Sequence, residues 1–227
     1  KPAQSVGKHD GDHPMARLRS LPTPLATLDW HEALNWQEKA MLQQLIQQRF
    51  AQQHSAYIQH FLPRLFGLWQ AGLPQAAVGL RLASSGPLFL ERYLDGKAEQ
   101  VINHGFQQSL ARRDIAEIGN LASLRPGLQR QLFIYLAHQL AAEGIAWLLF
   151  TATPEVANGL RRLGLEPQPI TPADPTRLGE ASHLWGRYYQ HRPWVMAGDL
   201  RSAMHTLQAH SAFTETAREE VLHARLA

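Results

Sequence analysis

A strand, a helix and a second strand follow one another from Arg113 to Thr153, and no other stretch limits the possible folds so strongly. The first piece, RDIAEIGNLAS, has the apolar and β-branched content of a strand. The second, LQRQLFIYLAHQLAAEG, carries Leu128, Leu132, Leu136 and Leu140 along one helical face, with Pro126 at its opening and Gly144 at its close. The third, IAWLLFTAT, is an apolar run of the kind found in strands covered on both faces of a sheet. Strands joined by a helical crossover lie parallel, and the crossover is right-handed in nearly all cases. The chain is therefore an α/β protein with a parallel pair inside its sheet.

The flanks add further elements. Asn35 caps a helix whose Met41, Leu42, Leu45, Ile46 and Phe50 form a stripe opposite a Gln-rich face. RLFGLWQAG and QAAVGLRLAS, joined through Gly72-Leu73-Pro74, predict an antiparallel hairpin. PLFLERYLD places Glu91 and Tyr93 in an apolar context, and a short helix follows over Ala98 to Phe106. Thr153-Pro154-Glu155 starts another helix, which stops at Gly164. EPQPITPADP reads as a connector, and HLWGRYYQHRPWVMAGD as one or two strands that complete the core or pair two chains. A helical tail follows from Asp199.

With 227 residues and 44% hydrophobic content, residues 29–227 are expected to form one domain behind a mobile extension over residues 1–28, which lacks the apolar core of a secretory signal. A net charge of +3 with scattered basic residues argues against nucleic acid. The absence of cysteine excludes disulfides, thiol nucleophiles and thiolate metal sites, and suits a cytoplasmic setting. The apolar run at Ile145 to Ala152 is far short of the ~20 residues that span a bilayer. His9 with His13, His54 with His60, and His205 with His210 fit no metal motif, and Ser84-Ser85-Gly86 is no nucleophile elbow, so neither a metal nor a serine hydrolase is expected.

Two features carry chemistry. Glu117 lies inside an apolar strand, where burial raises a carboxyl group's pKa toward that of a working base. Two residues on, Gly119 marks either an ordinary bulge or one that leaves amides near Gly119, Asn120 and Leu121 free for an extended ligand. The helix start after Ser123 offers unpaired N–H groups beside Arg125 and Arg130, with no acid between Glu117 and Glu143. That combination leaves room for an anion such as a pyrophosphate.

The order of elements resembles the GNAT acyltransferase fold. More narrowly, AVGLRLAS, LFLERYLD, RDIAEIGNLAS, WLLFTATPEV, RRLGLEP and WGRYYQHRPWVMAGD, spread over roughly residues 55 to 200, resemble the thermostable hemolysin family, which is related to GNAT enzymes. The resemblance implies a mixed, mostly antiparallel sheet with a splayed central parallel pair and helices on both faces. It implies transfer of an acyl group from acyl-CoA or an acyl-carrier protein to a small amine. At the loop positions Leu124 to Gln129 only Gly127 matches the general GNAT pattern, so a carrier protein is as suitable a donor as CoA.

On that resemblance Glu117 accepts the amine proton, backbone amides at Asn120, Leu121 and Ala122 orient the thioester, and Tyr188 or Tyr189 protonates the leaving thiolate. Gly119, Ser123, Arg125, Gly127, Leu128, Gln129, Arg130 and Asn158 complete the donor site. Arg81, Glu91, Tyr93 and Trp185, which interrupt or flank apolar strand segments, are the acceptor-side candidates. For Arg81 and Glu91 the alternative is a structural ion pair with each other, and for the tyrosines aromatic packing. Two other functions compete: a membrane-active hemolysin, whose lytic segment could only be the tail, and a GNAT-shaped module that binds without catalysis.

Overall fold

The computed structural model describes residues 28–207 and 209. Seven strands form one sheet in the order β1-β2-β3-β4-β5-β7-β6. They are β1 (Asp29–Glu32), β2 (Arg64–Gln70), β3 (Leu73–Leu82), β4 (Ile115–Ser123), β5 (Trp147–Ala152), β6 (Gln168–Pro172) and β7 (Trp194–Asp199). Among the described residues only β4 and β5 run parallel; every other neighbouring pair is antiparallel. The four α-helices among the described residues that have defined bounds are α1 (Trp36–His54), α2 (Ala98–Phe106), α3 (Leu128–Ala142) and α4 (Pro154–Arg162), and residues 200–207 are helical as well. This is the GNAT-like mixed sheet, with helices on both faces.

Strand alternation sorts the core into two layers. Phe66, Leu68, Val78, Leu80, Ala116 and Ile118 point to α3 and α4, where Leu132, Leu136 and Leu140 are fully enclosed. Each such leucine contributes on the order of 1.5–3 kcal/mol by leaving water. On the other face Leu65, Trp69, Ala77 and Ala122 meet α1, while Ile115, Leu149, Val195 and Ala197 meet α2 and the chain around Leu88 to Leu94. Glu117 alternates onto this second face, two residues after Ile115.

Local chemistry explains most boundaries. Asn35 accepts a hydrogen bond from the Glu38 amide and starts α1. Thr153 accepts one from Val156, with Pro154 at the first position of α4. The β2–β3 turn consists of Ala71 and Gly72, both at positive φ, as a two-residue hairpin turn requires. Leu73 and Pro74 therefore belong to β3, not to the turn.

Several expectations need correction. β1 and β6 were not expected as strands. Both lie at sheet edges, where four residues, or a segment holding Pro169 and Pro172, can pair on one side only. Helix α3 starts at Leu128, because Gly127 takes the left-handed conformation (φ 88°) and leaves Pro126 in the preceding turn. Glu91 and Tyr93 sit on a 3-10 turn, Phe89–Tyr93, and Trp185 ends another, so only Arg81 of the acceptor-side set is on a strand. HLWGRYYQHRPWVMAGD yields one strand, β7, because its first half is bound to the end of α1. There the Arg187 amide donates to the His54 carbonyl at 2.6 Å, and a Cβ on Gly186 would lie 2.3 Å from that same oxygen. Of the extension expected over residues 1–28, residues 1–27 fall outside the described residues, as does all the tail beyond 207 except residue 209.

Candidate active site

The two parallel strands separate early. Pairing runs through Ile115–Trp147, Ala116–Leu148 and Glu117–Leu149 and then stops, although β4 continues to Ser123 and β5 to Ala152. The cause lies on the other side of β4. Ala77 faces Ala122 but Gly79 faces Gly119, so Asn120 and Leu121 together oppose the single residue Val78. The bulge thus sits one residue beyond Gly119, with Asn120 in the left-handed region at φ 51°. Its side chain fixes the distortion, since Asn120 Oδ1 accepts the Leu62 amide at 2.9 Å. A Cβ on Gly79 would stand 2.8 Å from that oxygen and 2.9 Å from Leu62 Cβ, so the bracket needs glycine there.

Glu117 is the last β4 residue before the strands part, and it is only 4% exposed. Its carboxylate accepts the Phe89 amide at 2.8 Å and the Leu90 amide at 3.1 Å, which are free N–H groups at the start of the 3-10 turn. Burial pushes its pKa up to about 7, against the opposing pull of these two bonds and of the Arg81 charge. A carboxyl raised toward neutrality is suited both to take a proton and to return it near neutral pH.

Arg81 faces Glu117 across the β3–β4 pair. Its Nη1 donates to the Pro87 carbonyl at 2.8 Å, while its buried Nε has no partner among the described residues. Arg81 and Glu91 do not pair. Glu91 instead binds Arg112 at 2.6 Å and accepts the Leu88 and Ala98 amides, each at 2.8 Å. Burial alone would raise the Glu91 pKa, but these bonds hold it below the usual carboxylate range. Arg112 also binds Glu99 and the carbonyls of Ala83 and Gly86, so the Arg112–Glu91 pair shapes the turn that caps Glu117.

An aromatic wall closes this face. Trp185 lies 5.4 Å from Tyr188, 6.1 Å from Tyr189 and 5.8 Å from Phe89, between ring centroids. Tyr188 is buried and donates to Thr151 Oγ1 at 3.2 Å, on the part of β5 that has left β4. The hydroxyls of Tyr189 and Tyr93 are 2.5 Å apart. Burial raises the pKa of all three tyrosines, so they remain protonated donors at neutral pH. His54 packs edge-on against Tyr188, with its own pKa lowered, first by burial and then by His191.

On the opposite side of the parting lies the start of α3. No side chain caps it, its first turn holds no acid, and Arg125 and Arg130 beside it are exposed. Leu128 is buried in the core and Gln129 half-buried, so only backbone amides, not the Leu128 side chain, are available there. Asn158, on α4, is exposed and accepts from Arg161 Nη1 at 3.1 Å. Sequence reasoning missed Phe89, whose amide binds Glu117 and whose ring packs near Trp185, and Thr151, the partner of Tyr188. The glutamate three residues after Leu88, which caps that amide, was the available sign of a turn.

Among the described residues no group of three acidic, His or Cys side chains is placed to hold a metal, and no helix is long and apolar enough to cross a membrane. Among curated proteins none matches in sequence. Solved structures do match in shape. The CoA-dependent acyl-homoserine lactone synthase BjaI, solved with SAM and isopentyl-CoA, has a TM-score of 0.57 at 12% identity over 81% of this chain and 87% of its own. FeeM, an N-acyl amino acid synthase from uncultured soil microbes, has 0.55 at 13% identity over 78% and 92%. The acyl-homoserine lactone synthase LasI has 0.52 at 12% identity over 77% and 91%. Likeness at such low identity establishes the GNAT-like fold. Residues 34–204, well over half of the sequence, match the family model for thermostable hemolysin, and the chain belongs to that family.

Proposed function

We propose that the protein is an N-acyltransferase that moves an acyl group from a thioester, carried by CoA or by an acyl-carrier protein, to an amine. One observation carries the reading: a buried carboxyl group with a pKa of about 7 sits where two parallel strands part. A protonated amine has no lone pair to attack with, and Glu117 takes the proton directly or through water. The amine nitrogen then bonds to the thioester carbonyl carbon, and the carbon–sulfur bond breaks. A tyrosine hydroxyl gives its proton to the departing thiolate and is restored by the second proton that nitrogen sheds.

Tyr188 is the better placed of the two tyrosines, because its hydroxyl already reaches Thr151 on the separated part of β5. The amides of Asn120, Leu121 and Ala122 orient the thioester along the bulge, and one of them stabilises the oxyanion. The uncapped start of α3 with Arg125, Gly127, Gln129 and Arg130 suits the phosphate-bearing part of either donor. Arg81, Tyr93 and Trp185 border the acceptor, while Glu91 works through the turn it holds. The names of the structurally similar enzymes, an N-acyl amino acid synthase and two acyl-homoserine lactone synthases, agree with this chemistry.

The test is mass spectrometry of the protein incubated with mixed acyl-CoA, acyl-carrier proteins and candidate amines. A new amide that disappears with Glu117→Gln supports the reading. Vesicle leakage at the same protein concentration, without any amide, would replace it with a membrane-active function.

A further inference from the structure

We infer that the acceptor amine also carries a carboxylate, held by the guanidinium of Arg81, which makes the substrate class free amino acids. This rests on the acyltransferase reading above and names its acceptor. Arg81 and Glu117 are direct neighbours across the β3–β4 pair and point to the same sheet face. Side chains so placed have Cβ atoms ~5 Å apart. That distance suits a zwitterion with its ammonium at Glu117 and its carboxylate at Arg81, because the two groups are separated by a single carbon.

The pairing within the protein leaves Arg81 available. Glu91, the acid in the same segment that could neutralise it, is taken by Arg112 and by the Leu88 and Ala98 amides. Among the described residues Arg81 has no carboxylate within ion-pair distance. Its Nη1 is fixed by the Pro87 carbonyl, which sets the plane of the guanidinium, and its buried Nε donates to nothing. A buried donor without an acceptor is uncommon in folded proteins. The edge formed by Nε and Nη2 remains for a ligand, and a carboxylate fits such an edge with two parallel hydrogen bonds. Glu117 keeps capacity as well, since a carboxylate accepts about four hydrogen bonds and backbone amides supply only two.

The experiment compares the full chain with Arg81→Gln and Arg81→Lys. Donors are acyl-CoA thioesters of mixed length and acyl-loaded carrier protein. Acceptors are the standard L-amino acids, each beside the amine that its decarboxylation leaves. The native protein should acylate at least one amino acid about 100-fold better in kcat/KM than its matching amine, the value of a charge-assisted bond. Arg81→Gln should erase that preference, and Arg81→Lys, with charge but no fork, should restore part of it. Equal use of amine and amino acid, or a preference that survives Arg81→Gln, overturns the inference. Thermal unfolding separates the two readings and checks that the variants fold. If nothing is acylated, yet an amino acid raises Tm in the native protein and not in Arg81→Gln, the carboxylate site stands and acyl transfer falls. If neither an amino acid nor an amine is acylated and no amino acid raises Tm, both fall; if only amines are acylated, the carboxylate site alone falls.

Discussion

Replacing Glu117 with Gln should make the protein more stable at alkaline pH while removing its activity. In the unfolded chain this carboxyl ionises near 4.5, and in the fold its pKa is about 7. A raised acid pKa means that the folded state holds a proton the unfolded state has released. Stability is therefore full below 4.5, declines as pH rises through the interval and reaches its lower plateau above about 7. Because the group is only 4% exposed, solvent screening reduces the effect little, and the whole interval is worth about 3 kcal/mol.

Gln has the shape of protonated Glu but cannot ionise, and its oxygen can still accept from Phe89 or Leu90. Urea unfolding of both proteins at pH 5 and pH 8 isolates the residue, since all other titrating groups cancel in the difference. The variant should gain about 2 to 3 kcal/mol on the native protein between those two conditions. Amide formation by the native protein should rise with pH through about 7 and be absent from the variant at every pH. A stability difference that does not change with pH would mean that Glu117 ionises like an exposed carboxylate, and the base assignment would lose its physical ground.

Other changes probe the frame around this residue. Asn120→Ala removes the acceptor of the Leu62 amide and places alanine at φ 51°, so it should cost about 2 kcal/mol in chemical denaturation and lower turnover by loosening the bulge. Tyr188→Phe should cut turnover more than Tyr189→Phe, while each loses only about 1 kcal/mol of stability; a reversed order in the rates would shift the proton-donor role to Tyr189. Gly186→Ala must displace the end of α1 from backbone contact, and thermal unfolding should show it among the most destabilised single variants, by more than about 3 kcal/mol.

Much of the fold was legible in the residues because its signals are local. Leucines at four-residue spacing mark α3, and Thr153-Pro154 announces α4 whatever lies around it. The hairpin, α2 and the two parallel strands could be read in the same way. Edge strands could not: β1 has four residues and β6 contains prolines, so neither has a periodic pattern, and both exist only because β2 and β7 offer an open flank. The aromatic segment around Trp185 to Tyr189 suggested strand by propensity, but docking against the α1 terminus overrode it.

For the site, a glutamate in an apolar strand was visible as an oddity, and so was a glycine that suggested a bulge. Sequence alone thus determined that one carboxyl group would enter the sheet interior, because alternation leaves Glu117 no path to water once both faces of the sheet are covered. Which groups meet it there was decided by long-range packing. The amides of Phe89 and Leu90, and the Tyr188 hydroxyl on Thr151, come from segments 27 to 37 positions away from their partners. Arg112 captured Glu91 and so left Arg81 beside Glu117 without an ion pair among the described residues, an outcome that depends on distances the order of residues does not contain.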